Sequence, residues 1–200
     1  MRGIAMDAAR FAAAIAAIDE ANRKDPNSVL VNGEPQPSEW LYSVRLSQWV
    51  KRLNPLASEA LLLAARCQHI ERWKLPRAQY PRDRKGYLEW RSALARFHAS
   101  RAQEILTAVG YSDDVIRRVQ ELNLKQHLHT DPEMQVLEDA LCLLFLETQF
   151  LELNAKTEED KMVQILQRTW RKMSPQGRQE ALKLELASEA REVLSRALGG

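Results

Sequence analysis

Two histidines, His69 and His98, bracket the most cation-rich stretch of the chain, and two acids, Glu138 and Asp139, open its most apolar one. Imidazoles and carboxylates are the side chains that ligate transition metals and move protons near neutral pH. The segment 66–99, RCQHIERWKLPRAQYPRDRKGYLEWRSALARFHA, holds two His, nine Arg or Lys, two Trp and two Tyr. His69, His98 and Asp139 make an open ligand set for manganese, iron or zinc, with positions left for water or substrate. Water on such a metal becomes a nucleophile near neutral pH. Arg66, Arg72, Arg77, Arg82, Arg84 and Arg91 are permanently charged forks suited to phosphate or carboxylate. Tyr80, Tyr87 and Trp90 offer faces for a base or another aromatic ring.

These residues stand out because they break the local pattern. LLLAARCQHIERW is apolar through Leu61–Ala65 and Ile70, then gathers Arg66, His69, Arg72 and Trp73, with 66, 69, 70 and 73 at the spacing of one helical face. A cation-rich helix C-terminus explains the same residues without any site. Arg91 and His98 lie seven apart, two turns on one side of the next helix. There, a core histidine bonded to a carbonyl is the competing explanation. In VLEDALCLLFLETQFLEL, Glu138 and Asp139 lie two turns in from the helix start, and a buried carboxylate needs a partner. A salt bridge to Arg66, Arg72 or Arg91 would supply one without a metal. His127 and His129 in KQHLHTD read as a solvated turn.

Helical spacing dominates the elements that must position these groups. Helices are expected at about 5–23, 38–53, 56–73, 87–109, 113–125, 132–153, 158–172 and 175–197. The basic loop 74–86 joins the third to the fourth. Ser38 and Ser112 are candidate N-caps, and Asp131-Pro132-Glu133 is a capped start with Pro at the first helical position. The segment DPNSVLVNGEPQP reads as a loop, and no segment reads as a strand. The fold class is all-α, a bundle of about eight helices with short connections. A single domain over 1–200 is expected: residues 1–37 as a helix and loop, 38–155 as the site-bearing core, and 156–200 as a helical pair.

With 45% apolar and 28% charged residues the chain has the composition of a globular protein. A net charge of +2 does not call for nucleic acid or an anionic membrane. Cys67 and Cys142 fall in apolar helical patterns and read as buried thiols of a reducing compartment. The apolar N-terminal run is interrupted by Asp7 and Arg10, and no stretch reaches the length of a membrane span. The expected location is cytoplasmic, and the oligomeric state is left open.

HIERWKLPRAQYP (69–81), GYLEWRSALARFHA (86–99), QVLEDALCLLFLE (135–147) and ILQRTWRKMSPQGRQEAL (165–182) together resemble the family catalogued as domain of unknown function 4202. The residue order is also similar, more distantly, to the HD superfamily of helical metal-dependent phosphohydrolases. That resemblance implies His69 as the first histidine, His98 as the second and Asp139 as the late aspartate. It also departs: Ala99 follows His98 where the superfamily has Asp, so either Glu138 or Glu147 replaces a metal ligand or the metal site is weakened or lost. Arg45 matches a substrate-binding arginine of some members.

Three functions are therefore carried forward. The first is an HD-like metal-dependent hydrolase of a phosphorylated small molecule or nucleotide, with Asp139, Glu138 and Arg91 as catalytic groups. Its substrate would meet Arg45, Arg66, Arg72, Arg77, Tyr80, Arg82, Tyr87 and Trp90. The second is a metal-free pocket for an anionic or aromatic ligand. The third is an interaction module built on the basic loop 74–86, which the low net charge and the lack of an RNA-binding signature disfavour. A redox role like that of HD-type di-iron oxygenases is a smaller fourth.

Overall fold

The computed structural model describes residues 7–128 and 130–199. Helices dominate, as the spacing requires, with one two-stranded hairpin among the described residues. Packing divides the chain into two compact units. One comprises the residues up to Lys51 together with 56–126; the other comprises 52–55 and the residues from His127 on. The boundary at 126/127 falls inside the 38–155 range that sequence reasoning keeps together.

In the first unit, α1 (Ala8–Asn22) is capped by Asp7, whose carboxylate accepts the Arg10 N–H at 3.1 Å. The beginning of the expected 5–23 helix lies outside the described residues. The segment read as a loop contains β1 (Ser28–Val31) and β2 (Glu34–Pro37), paired antiparallel. Their two-residue turn is Asn32-Gly33, both at positive φ, the dipeptide that favours a tight hairpin. Both strands are largely exposed, so no buried alternation betrays them in the sequence. The Asp25 carboxylate closes the hairpin's base, accepting the N–H groups of Asn27 and Glu39 at 2.9 Å each. That bond places Glu39 in the first turn of α2 (Ser38–Leu53).

Helix α3 (Glu59–Cys67) is capped by the Ser58 hydroxyl and stops six residues short of the expected 73. The cause is Glu71, held left-handed at φ 51. Its N–H donates to the Asn22 side chain at 3.0 Å, and its buried carboxylate takes Lys74 at 2.7 Å and Arg101 at 2.8 Å. Two short 3-10 turns, Arg72–Lys74 and Arg77–Gln79, follow. Asp83 then caps α4 (Arg84–Ala108), which starts three residues earlier than expected. Helix α5 (Asp113–Asn123) packs on α3 and α4, and α1 packs on the same pair. Fully buried Ile18, Leu61, Leu63, Ile70, Leu106 and Leu122 are among the core residues of this unit.

In the second unit, Asp131 caps α6 (Pro132–Thr148) as its sequence announced. The expected 132–153 helix is divided. The Thr148 hydroxyl donates to the Leu144 carbonyl at 2.7 Å, Gln149 departs to φ −117, and α7 (Phe150–Asn154) begins afresh. Helices α8 (Glu159–Lys172), α9 (Pro175–Leu182) and α10 (Ser188–Ala197) follow, so the expected 175–197 helix is also two. Helix α6 packs against α7, α8 and α9, and α8 against α10. No helix among the described residues is long and apolar enough to cross a membrane.

Candidate functional site

Three local events in the first unit assemble one cavity of about 350 Å³. The early end of α3 puts Gln68, His69 and Arg72 on tight turns rather than on a helical face. The middle of α4 adds Arg91 and His98, two turns apart on one side. The end of α5 adds Asn123 and Lys125. That end is a Schellman turn: the Gln126 N–H reaches the Glu121 carbonyl at 3.0 Å and the Lys125 N–H the Leu122 carbonyl at 3.1 Å. Lys125 occupies the left-handed position, φ 56, where glycine is usual.

The two imidazoles lie 6.0 Å apart, centroid to centroid. His69 stacks on Tyr42 at 4.2 Å with an 11° interplanar angle. His98 Nδ1 is 2.8 Å from the Ile70 carbonyl oxygen. A carbonyl only accepts, so Nδ1 carries the proton and Nε2 is left with a lone pair. Burial pushes His98 down to about 3, with His69, Arg72 and Arg91 acting in the same direction and the Ile70 bond against it. Burial also holds His69 well below the usual histidine range, reinforced by Arg72, Arg91 and Lys125. Both rings are therefore neutral at pH 7 in a field made positive by their neighbours.

Glu39 stands behind this pair. Its Oε2 is 3.4 Å from His69 Nδ1 and its Oε1 is 3.8 Å from Arg72 Nε. Burial raises its pKa to about 7, against the pull of Arg72. The carboxyl group is thus only partly ionised at neutral pH. Arg72 also lies over the Trp90 ring, 4.8 Å from its centroid.

Three buried polar side chains that line the cavity carry atoms without protein partners. Gln68 Oε1, His98 Nε2 and both amide atoms of Asn123 have none among the described residues. These residues are 6%, 3% and 2% exposed, so bulk solvent does not serve them. Leaving such groups unbonded costs about 1–3 kcal/mol each, and the cavity residues carry four of the seven such atoms among the described residues, the others being Arg10 Nε, Asn22 Nδ2 and Trp40 Nε1.

The remaining sequence candidates are placed elsewhere. Arg66 grips Asp19 through two bonds of 2.6 and 2.7 Å. Arg77 clasps its own loop, donating to the carbonyls of Tyr80 at 2.9 Å and Asp83 at 3.4 Å. The Trp90 indole N–H donates to the Leu75 carbonyl at 2.9 Å. Arg82 and Tyr87 are exposed, and Tyr80 and Arg45 are half-buried; none of the four lines the cavity. In the second unit, buried Glu138 lies 3.4 Å from Lys172 Nζ. Asp139 accepts the Ser174 N–H at 2.8 Å, the Ser174 hydroxyl at 2.5 Å and the Gln135 amide at 3.0 Å. It sits on the N-terminus of α9 so closely that a Cβ at Gly177 would lie 2.6 Å from its Cγ. His127 is exposed, and His129 lies outside the described residues. No group of three or more His, Cys, Asp or Glu among the described residues could hold a metal ion. Cys67 and Cys142 are free and buried, as expected.

Glu39, Tyr42, Gln68, Asn123 and Lys125 were not anticipated. Only Lys125 carried a local signal, a non-glycine residue where a helix must end.

The helical fold and this site define a class: an all-α protein with a cation-lined cavity that contains two neutral imidazoles. The chain belongs to the family described as a domain of unknown function, DUF4202, whose model matches residues 12–194. No curated protein and no solved structure matches the chain.

Proposed function

We propose that the protein binds a small phosphorylated ligand in the cavity of the first unit, using its own cations. One observation carries the reading. Arg72, Arg91 and Lys125 line a cavity whose two histidines are neutral, and Glu39, the carboxylate beside His69 and Arg72, has its charge suppressed by burial. Cations converge there, and two guanidinium forks with an ammonium suit a dianionic phosphate monoester better than a single carboxylate. The volume fits a small metabolite.

The HD-like metal-dependent hydrolase requires His69, His98 and Asp139 as one ligand set. Asp139 already receives three hydrogen bonds within its own unit, and no group of three or more His, Cys, Asp or Glu among the described residues could hold a metal ion. His69, His98 and Asp139 therefore do not fit one metal ion as a set. Metal-free acid–base chemistry has one observation in its favour: Glu39, with a pKa of about 7, lies beside His69, a group that lines the cavity.

Calorimetric titration with ethyl phosphate, with a strong chelator present, tests the reading. Saturable binding that weakens at least tenfold in Arg72→Met and in Arg91→Met is expected. No binding at low salt would end it.

A further inference from the structure

The anion end of the cavity leaves open what the rest of the ligand must be. We propose that the ligand is a phosphorylated polyol or sugar, whose neutral hydroxyls donate to His98 Nε2 and meet the side chains of Gln68 and Asn123. This inference rests on the phosphate-binding reading and specifies its substrate class.

The tautomer of His98 is fixed by Ile70, so Nε2 can only accept. Asn123 presents one unused acceptor and two unused donors, and Gln68 one unused acceptor. The missing partner therefore brings several hydrogen-bond donors and at least one acceptor. An ammonium group would supply donors but would sit among Arg72, Arg91 and Lys125, which repel it. A second anionic oxygen would meet the lone pair of Nε2, and protonating His98 to accommodate it is opposed by burial and by Arg72 and Arg91. A neutral hydroxyl satisfies every condition, since it donates and accepts at one atom. It also does what a trapped water would do at these buried atoms, and a diol tied to a phosphate brings two such groups at once. Polar satisfaction and charge thus divide the site between a cationic part for phosphate and a neutral, acceptor-rich part for hydroxyls.

Ethyl phosphate, glycerol 3-phosphate and glucose 6-phosphate carry the same charged group and differ in hydroxyls. Their affinities for the full chain, measured by amide chemical-shift titration, separate the possibilities. At least one of the two hydroxylated probes is expected to bind tenfold or more tightly than ethyl phosphate. That advantage falls below threefold in Asn123→Leu and in His98→Ala. Asn123→Leu keeps the His98–Ile70 bond, so it remains informative if His98→Ala does not fold. Equal affinity for all three probes would overturn the polyol assignment and leave phosphate binding intact, with trapped water then filling the buried positions. Failure of all three to bind would remove the phosphate-binding reading itself.

Discussion

Oε2 of Glu39 lies 3.4 Å from Nδ1 of His69, and burial favours the neutral form of both groups. The consequence for stability has a definite sign. Glu39 titrates near 7 in the folded chain and near its ordinary 4.5 when unfolded. Between those values the folded state holds a proton that the unfolded state has lost, so the contribution of Glu39 falls as pH rises through 7. His98, depressed to about 3, acts oppositely: its contribution is lost as pH falls below about 6.5. Glu39→Gln should therefore gain on the wild type as pH rises from 4.5 to 7, by on the order of 3 kcal/mol, and hold that gain above pH 8. Urea unfolding at several pH values measures it; a pH-independent difference would refute the assignment.

Lys125 holds a backbone conformation that costs a residue with a side chain about 1 kcal/mol relative to glycine. Lys125→Gly should raise stability by about that amount and weaken phosphate binding several-fold. Thermal unfolding and calorimetry on the same protein read the two effects, and the account of the α5 terminus fails if both fall together.

Arg66 and Asp19 form a bidentate pair with side chains only 11% and 12% exposed. Removing one partner strands the other's charge, at a cost of about 3–5 kcal/mol. Arg66→Met and Asp19→Leu should each destabilise strongly, while the double variant should be less destabilised than either single. A double-mutant cycle gives the coupling; costs that simply add would show the pair to be independent.

Asp139 and Gly177 are in close contact in the second unit. Gly177→Ala forces a Cβ against the carboxylate and should cost about 1–3 kcal/mol. Asp139→Asn gives up the charge that accepts from Ser174 and should cost a similar amount. Chemical denaturation checks both, and a neutral Gly177→Ala would show that α9 moves freely away.

Much of the helical framework was legible in the sequence because its signals are local. Helix α2 and the starts of α5 and α6 coincide with their expected first residues, although Ser38 lies inside its helix and Ser112 makes no side-chain capping bond, so that only the Asp-Pro signal acts as its chemistry requires. His69, Arg72, Arg91 and His98 do line one cavity. The end of α3 was not legible, because it depends on Asn22 and Arg101, 49 and 30 residues from Glu71. Asp139 was rightly read as a buried acid in need of partners, but one of them is the start of α9, 35 residues on. Asn123 and Gln68 looked like ordinary polar positions, since only packing reveals that nothing bonds them. Asn32-Gly33 was a legible hairpin signal that the loop reading passed over.

The segment between Leu75 and Asp83 is held by Arg77 and Trp90, and none of it lines the cavity. Its length is thus uncoupled from the chamber beside it. Extra residues spliced in near Ala78 would project outward on a clasp that already closes on itself. This makes the segment a mounting point for a fluorophore or a grafted peptide that leaves the lining of the chamber unchanged.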